Sequence, residues 1–208
     1  MHVALALRPQ MSGVPNMRSR LFEMTTKPPS SSCSAVREPS DSASAAADVL
    51  DRVGVRWALM GALAALRYRA TARMTTDADL LVEPSPAVAE AFEREGYDVQ
   101  VAGEDRSEPD MLLVRGKGDR IDIVFATVEY LKQALDRATT GVLTLEDVII
   151  QKLIAWRPRD RDDIASILDA GHRFDARYIE DWAAAWEVED RWAEAKRRAG
   201  IDDPAESS

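Results

Sequence analysis

Beyond Ala126 the chain contains no segment with the two-residue period of a strand. Before that point strand-like and helix-like stretches alternate, and after it only helical periods recur. A chain written this way cannot close as an all-β or an all-helical domain. It must build an α/β core and add helices to it. The predicted fold is therefore α/β, a mixed β-sheet flanked by helices, followed by a C-terminal helical bundle.

The first predicted helix opens at "SDSA" near Ser40 and carries Ala47, Val49, Leu50 and Val53 at helical spacing, with Gly54 as its stop. "VRWALMG" reads as a short strand and "ALAALRYRA" as a helix, because Ala and Leu dominate after Gly61. "ADLLVE" is a second strand, closed by Pro84. "SPAVAEAFEREG" is an amphipathic helix with Ser85 as cap and Gly96 as stop. "YDVQVA" is a strand, and "MLLVRGKGDRIDIVFA" is a hairpin turning at Gly116, Gly118 and Asp119. Five helical stretches follow, from "VEYLKQALDRA" to "DRWAEAKRRAG".

"TKPPSSSCSAVREPSDSASA" is rich in Pro and Ser, so residues 1–38 are expected to be a disordered tail. Four methionines in the first 24 residues leave the start codon open. No apolar run reaches the roughly 18 residues of a membrane span, and no secretory signal is visible, so no membrane partner is expected. The single cysteine, Cys33, permits no internal disulfide and fits a reducing compartment; the expected location is the cytoplasm. His2 and His172 are too isolated for zinc chemistry. A net charge of -9 argues against a non-specific nucleic-acid coat, though not against an enzyme that meets RNA through a local basic patch.

Chemistry concentrates in "TTDADLLV". Asp77 and Asp79 are two apart at the start of a strand, so both side chains point to one face. Asp122 stands between Ile121 and Ile123, where a charge is costly if buried and unpaired. If its strand lies beside that of Asp79, three carboxylates converge and need a hard cation such as magnesium. Upstream, Gly61 and Ala62 open a helix whose free N–H groups suit a triphosphate, and Arg73 and Thr75 lead into the acids. The alternatives are a solvated turn for the acid pair and a solvent-facing strand position for Asp122.

Two further stretches stay open at this level. Lys152 in "VIIQKLIAW" either snorkels to solvent or is aimed at a triphosphate. Asp160 and Asp163 share one helix face, where they either hold Lys152 or Arg159 or cap the first turn. Arg67, Arg69 and Arg73, with Arg157, Arg159 and Arg161, are either solvated faces or contacts for a nucleic-acid backbone. Trp182, Trp186 and Trp192 recur at helical spacing and are expected to pack in a core.

"MGALAALRYRATARMTTDADLLV" followed by "RIDIVFA" resembles the nucleotidyltransferase superfamily related to DNA polymerase β. "LEDVIIQKLIAWRPRDRDDIASIL" resembles the AbiEii-type members, among them the MenT toxins of mycobacterial toxin–antitoxin pairs. The likeness covers roughly residues 45–170. It departs at Gly61-Ala62, where the family carries Gly-Gly or Gly-Ser. The resemblance implies a nucleotidyltransferase core over 39–135 and a helical region over 136–203. It implies two Mg2+ ions on Asp77, Asp79 and Asp122. It also implies an NTP contacted by Gly61, Ala62, Arg73, Thr75, Lys152 and Arg159, and counts Asp77, Asp79, Asp122, Lys152 and Asp160 as catalytic. The implied reaction moves NMP from the NTP to an RNA hydroxyl, at a tRNA 3′ end, with a cognate antitoxin as partner. The alternatives are an antibiotic-modifying nucleotidyltransferase and a non-catalytic module on a decayed fold. Thr75 and Thr76 are candidate phosphorylation sites, because a phosphate there would crowd the acids.

Overall fold

The alternating half of the chain closes into one five-stranded sheet. The computed structural model describes residues 37–72, 74–102 and 109–201; the expected tail falls outside them, save Arg37 and Glu38. The chain divides into two compact units, residues 37–148 and 149–201 among those described.

In the first unit, α1 (Pro39–Val53) leads into β1 (Trp57–Leu59) and α2 (Gly61–Leu66). Then come β2 (Ala78–Val82), α3 (Ala87–Arg94), β3 (Asp98–Ala102), β4 (Met111–Gly116), β5 (Asp119–Phe125) and α4 (Glu129–Arg137). The sheet order is β1-β2-β5-β4-β3. Only β2 and β5 run parallel; the other neighbours are antiparallel, so the sheet is mixed as predicted. β5 is central rather than an edge, because the crossover through α3, β3 and β4 returns the chain beside β2.

Side-chain alternation divides the sheet into two unlike faces. Ala78, Leu80, Val82, Leu112, Val114, Ile121, Ile123 and Phe125 form one buried apolar layer, packed against Ala46, Val49 and Leu50 of α1 and Val88 and Phe92 of α3. The opposite face carries Asp79, Arg115, Arg120 and Asp122 among Leu81, Met111 and Val124. The apolar layer thus fixes the register, and the register fixes which acids become neighbours.

Three local details differ from the sequence reading. The helix after Gly61 stops at Leu66, short of Ala70. There the Tyr68 hydroxyl donates to the Leu143 carbonyl at 2.8 Å, a tertiary anchor that overrides helix propensity, and the Arg69 Nε donates locally to the Thr71 carbonyl at 2.9 Å. α1 begins at Pro39 with Glu38 as its cap residue and no side-chain cap, rather than on Ser40 or Asp41. Asp119 is no turn residue. The turn is Lys117-Gly118, both at positive φ (53° and 86°), the pattern of a two-residue hairpin loop. Asp119 instead opens β5 on the core face and is buried. It accepts from Ser42 Oγ (2.8 Å), Tyr97 Oη (2.7 Å) and Arg37 Nη1 (3.2 Å).

α5 (Leu145–Ala155) begins in the first unit and continues into the second, which adds α6 (Pro158–Asp169), α7 (Ala176–Ala185) and α8 (Glu189–Arg198). Trp156, at φ +50°, and Pro158 separate α5 from α6. The second unit buries Leu153, Ile164, Ile167, Ile179, Trp186 and Trp192, so two of the three C-terminal tryptophans are core residues and Trp182 is half-buried. Arg191 Nη1 donates to the last carbonyls of α5, at Leu153 (2.7 Å) and Ile154 (2.9 Å), closing a helix end that a side chain can satisfy.

Candidate active site

The parallel pairing of β2 with β5 sets Asp79 directly across from Asp122. Registered neighbours on parallel strands point to the same side, so both carboxylates stand on the polar face. Asp77 precedes β2, half-exposed, and its charge reaches Asp122. The third acid is on the same side of the sheet as the other two.

Gly61 stands against this row. Its φ is +61°, and a Cβ built there would fall on the Asp79 carboxylate, on Oδ2. Any other residue is both strained and blocked. The Met60 N–H donates to the Asp79 carbonyl at 3.0 Å, so backbone and side chain of Asp79 are both set by the Met60–Gly61 corner. α2 itself is only six residues long, which makes its macrodipole short.

Two arginines share the face with the acids, and neither was among the predicted site residues. Arg115 and Arg120 are register partners across β4 and β5. Arg115 Nη2 donates to Asp122 Oδ1 at 2.6 Å, and its Nη1 donates to the Val114 and Ile121 carbonyls at 2.9 and 2.8 Å. Arg120 Nε lies 3.8 Å from Asp77 Oδ1. Burial pushes the Asp122 carboxyl above the usual aspartate range. Arg115 opposes that rise, the Asp77 charge adds to it, and Arg120 again opposes it. The signal for both arginines was in "RIDI" and the turn. Arg120 shares a face with Asp122 by two-residue spacing, and a Lys117-Gly118 loop places Arg115 opposite Arg120.

Thr75 Oγ1 donates to the Asp77 carbonyl (3.4 Å) and Thr76 Oγ1 to Asp77 Oδ2 (3.1 Å). Ala62 is half-buried in the first turn of α2. Arg73 lies outside the described residues. In the second unit Lys152 does not snorkel: it is buried, 2.6 Å from Asp163 Oδ2 and 3.6 Å from Asp160 Oδ1. Asp160 also accepts from the Arg157 backbone N–H (3.0 Å) and Nε (2.6 Å), so it caps α6 and flanks the lysine together. Arg159 is exposed, and Arg161 lies 5.7 Å from the centre of the Trp156 ring.

The donor set suits magnesium, a hard ion that prefers carboxylate oxygen. Among the described residues, however, no three His, Cys, Asp or Glu side chains are arranged as a ready-made metal site. Arg115 and Arg120 supply counter-charge at the acids. Register and chemistry fit the ion; the side-chain arrangement is that of the acids paired with guanidinium.

No family model matches the chain, and no curated protein matches it. Among solved structures, the antibiotic-resistance factor ANT(2'')-Ia is similar over 78% of this chain and 97% of its own, at a TM-score of 0.51 and 15% identity. An antigenic nucleotidyltransferase-like protein from Paracoccidioides brasiliensis is similar over 79% of this chain and 93% of its own, at a TM-score of 0.46 and 14% identity. The likeness is one of fold: the architecture is nucleotidyltransferase-like.

Proposed function

We propose that the chain is a magnesium-dependent nucleotidyltransferase that moves NMP from an NTP to a hydroxyl group. The observation that carries this reading is the Asp79–Asp122 register on adjacent parallel strands, with Gly61 leaving room for the Asp79 carboxylate. Asp77, Asp79 and Asp122 would hold the metal, which supplies charge stabilisation to the triphosphate and the attacking oxygen. Asp122, in register beside Asp79, is also placed to accept the hydroxyl proton. The acceptor oxygen bonds to the α-phosphorus, the bond to the bridging α–β oxygen breaks, and pyrophosphate leaves with those electrons. Thr75 and Thr76 steady the Asp77 segment. Lys152, steadied by Asp160 and Asp163, and Arg159 are the further NTP contacts that the AbiEii-type resemblance implies.

The acceptor we infer is RNA, at a tRNA 3′ end, which makes the protein a translation-blocking toxin that works in the cytoplasm with a cognate antitoxin. This finer reading rests on the sequence resemblance. Among the described residues no helix is long and apolar enough to cross a membrane. The second reading is a small-molecule acceptor, favoured by the fold likeness to ANT(2'')-Ia, an antibiotic-resistance factor. Incubation with each of four α-labelled NTPs, Mg2+ and either total RNA or an aminoglycoside separates the two. Label is expected on RNA, and to vanish in Asp77→Ala, Asp79→Ala and Asp122→Ala. Label on the aminoglycoside alone transfers the reading to the second class; label on neither overturns both.

A further inference from the structure

The sheet's polar face contains a cation already bonded to one of the proposed metal ligands. We propose that Arg115 is an exchange latch: it holds Asp122 until Mg2+ takes that carboxylate, and its released Nη2 then binds a phosphate oxygen of the nucleotide. The inference rests on the nucleotidyltransferase reading and extends it to a residue that the resemblance does not assign.

Three observations carry it. Arg115 Nη2 is 2.6 Å from Asp122 Oδ1, so one carboxylate oxygen cannot serve guanidinium and metal fully at once. Nη1 is tied to the Val114 and Ile121 carbonyls, so the guanidinium stays where it is when Asp122 turns away. The Arg115 side chain is 33% exposed and that of Asp122 16%, so a donor freed on this face remains within reach of a ligand from solvent. A fixed guanidinium left beside a metal-bound carboxylate has an empty donor and a positive charge. A polyphosphate oxygen is the chemistry that fills both needs. Metal and nucleotide binding would thus be coupled through one side chain. Arg120, 3.8 Å from Asp77, is the weaker analogue on the neighbouring acid.

The latch predicts opposite signs for one substitution. In Arg115→Gln, calorimetric titration with Mg2+ alone should show binding tighter by about fivefold, the scale of a partly exposed ion pair. Titration with inorganic tripolyphosphate at saturating Mg2+ should show binding weaker by about tenfold, the scale of a charge-assisted hydrogen bond. A residue that only supports the fold would weaken both or move neither. Equal or weaker Mg2+ affinity in Arg115→Gln overturns the latch. Tighter Mg2+ with unchanged tripolyphosphate overturns the exchange. Should Arg115→Gln fail to fold, Arg115→Lys carries the comparison: it keeps the charge and loses the fork, so Mg2+ should still bind more tightly than in the wild type, and equal affinity overturns the proposal. Asp79→Asn separates this from the underlying reading. If wild type binds no Mg2+, or Asp79→Asn binds it equally well, the metal site itself fails and the latch with it.

Discussion

Two of the clusters in which carboxylates meet a cation are built differently. On the polar face of the sheet, Asp77, Asp79 and Asp122 meet Arg115 and Arg120 with side chains still partly open to water. Between α5 and α6, Lys152, Asp160 and Asp163 are almost fully buried, with Lys152 2.6 Å from one acid and 3.6 Å from the other. In the second cluster the charges answer one another within the fold. In the first, three acids stand on adjoining backbone positions and one of them, Asp122, is raised by burial and by its neighbour Asp77. A buried cluster of opposite charges holds structure, whereas acids gathered on an accessible face are equipped to bind a cation.

The largest effect should come from breaking the buried cluster. Lys152→Ala leaves Asp163 and Asp160 without their ammonium, and removing one partner of a buried pair costs about 3–5 kcal/mol. A large fall in urea midpoint is expected, with the loss appearing as unfolding rather than as a change in nucleotide binding alone. Full stability in that variant would mean that the buried Lys152–Asp163 pair does not hold the fold. Next is Gly61→Ala. A positive φ costs a non-glycine residue roughly 1–2 kcal/mol, and the added Cβ displaces the Asp79 carboxylate. Both the melting temperature and Mg2+ affinity should fall, and preserved Mg2+ affinity would detach Asp79 from the metal.

Asp122→Asn sharpens the contrast, because its sign is opposite. The folded-state pKa of Asp122 is raised, so the stability linked to its proton is fully present below the unfolded value of about 3.9 and is lost as pH rises through the folded value. Asparagine cannot lose that proton. The variant should therefore gain on the wild type in denaturation midpoint as pH rises from about 4 to 7, while label transfer is abolished. A variant that loses stability at pH 7 would mean that the Arg115 ion pair outweighs burial.

Legibility in the sequence followed the same division. The order of elements was readable because apolar period and turn chemistry are local: "ADLLV" and "RIDIVF" announce strands, and Pro84, Gly96 and Gly118 punctuate them. That β2 and β5 are neighbours was a condition rather than a deduction, since pairing across a crossover leaves no local mark. "GKGD" makes Asp119 turn-like in the sequence, yet long-range partners, Ser42 and Tyr97, draw it inside. Arg115 carries no local mark for a related reason. An arginine near a hairpin turn looks solvated until the register puts it against Asp122. Lys152 stands out in its apolar helix, but only tertiary packing decides between reaching solvent and meeting Asp163.

The smallest effect tests whether Asp119 belongs with the satisfied clusters, despite standing on the same strand as Asp122. Its carboxylate accepts from Ser42, Arg37 and Tyr97, and burial first, then the Asp119 bond and charge, push the Tyr97 hydroxyl up to about 12. Tyr97→Phe removes one of three donors, so about 1 kcal/mol of stability should go. Transfer activity should not change, because Asp119 points into the apolar layer and Asp122 to the other face. The sign at high pH follows from the raised value. Tyr97 in the unfolded chain ionises near its ordinary value of about 10, so its share of stability is complete below that pH and is lost as pH rises toward about 12. The wild type's advantage over Tyr97→Phe in denaturation midpoint should shrink across that window. An advantage that stays constant would mean that Tyr97 meets water in the folded protein, and Asp119 would then resemble the accessible acids of the opposite face.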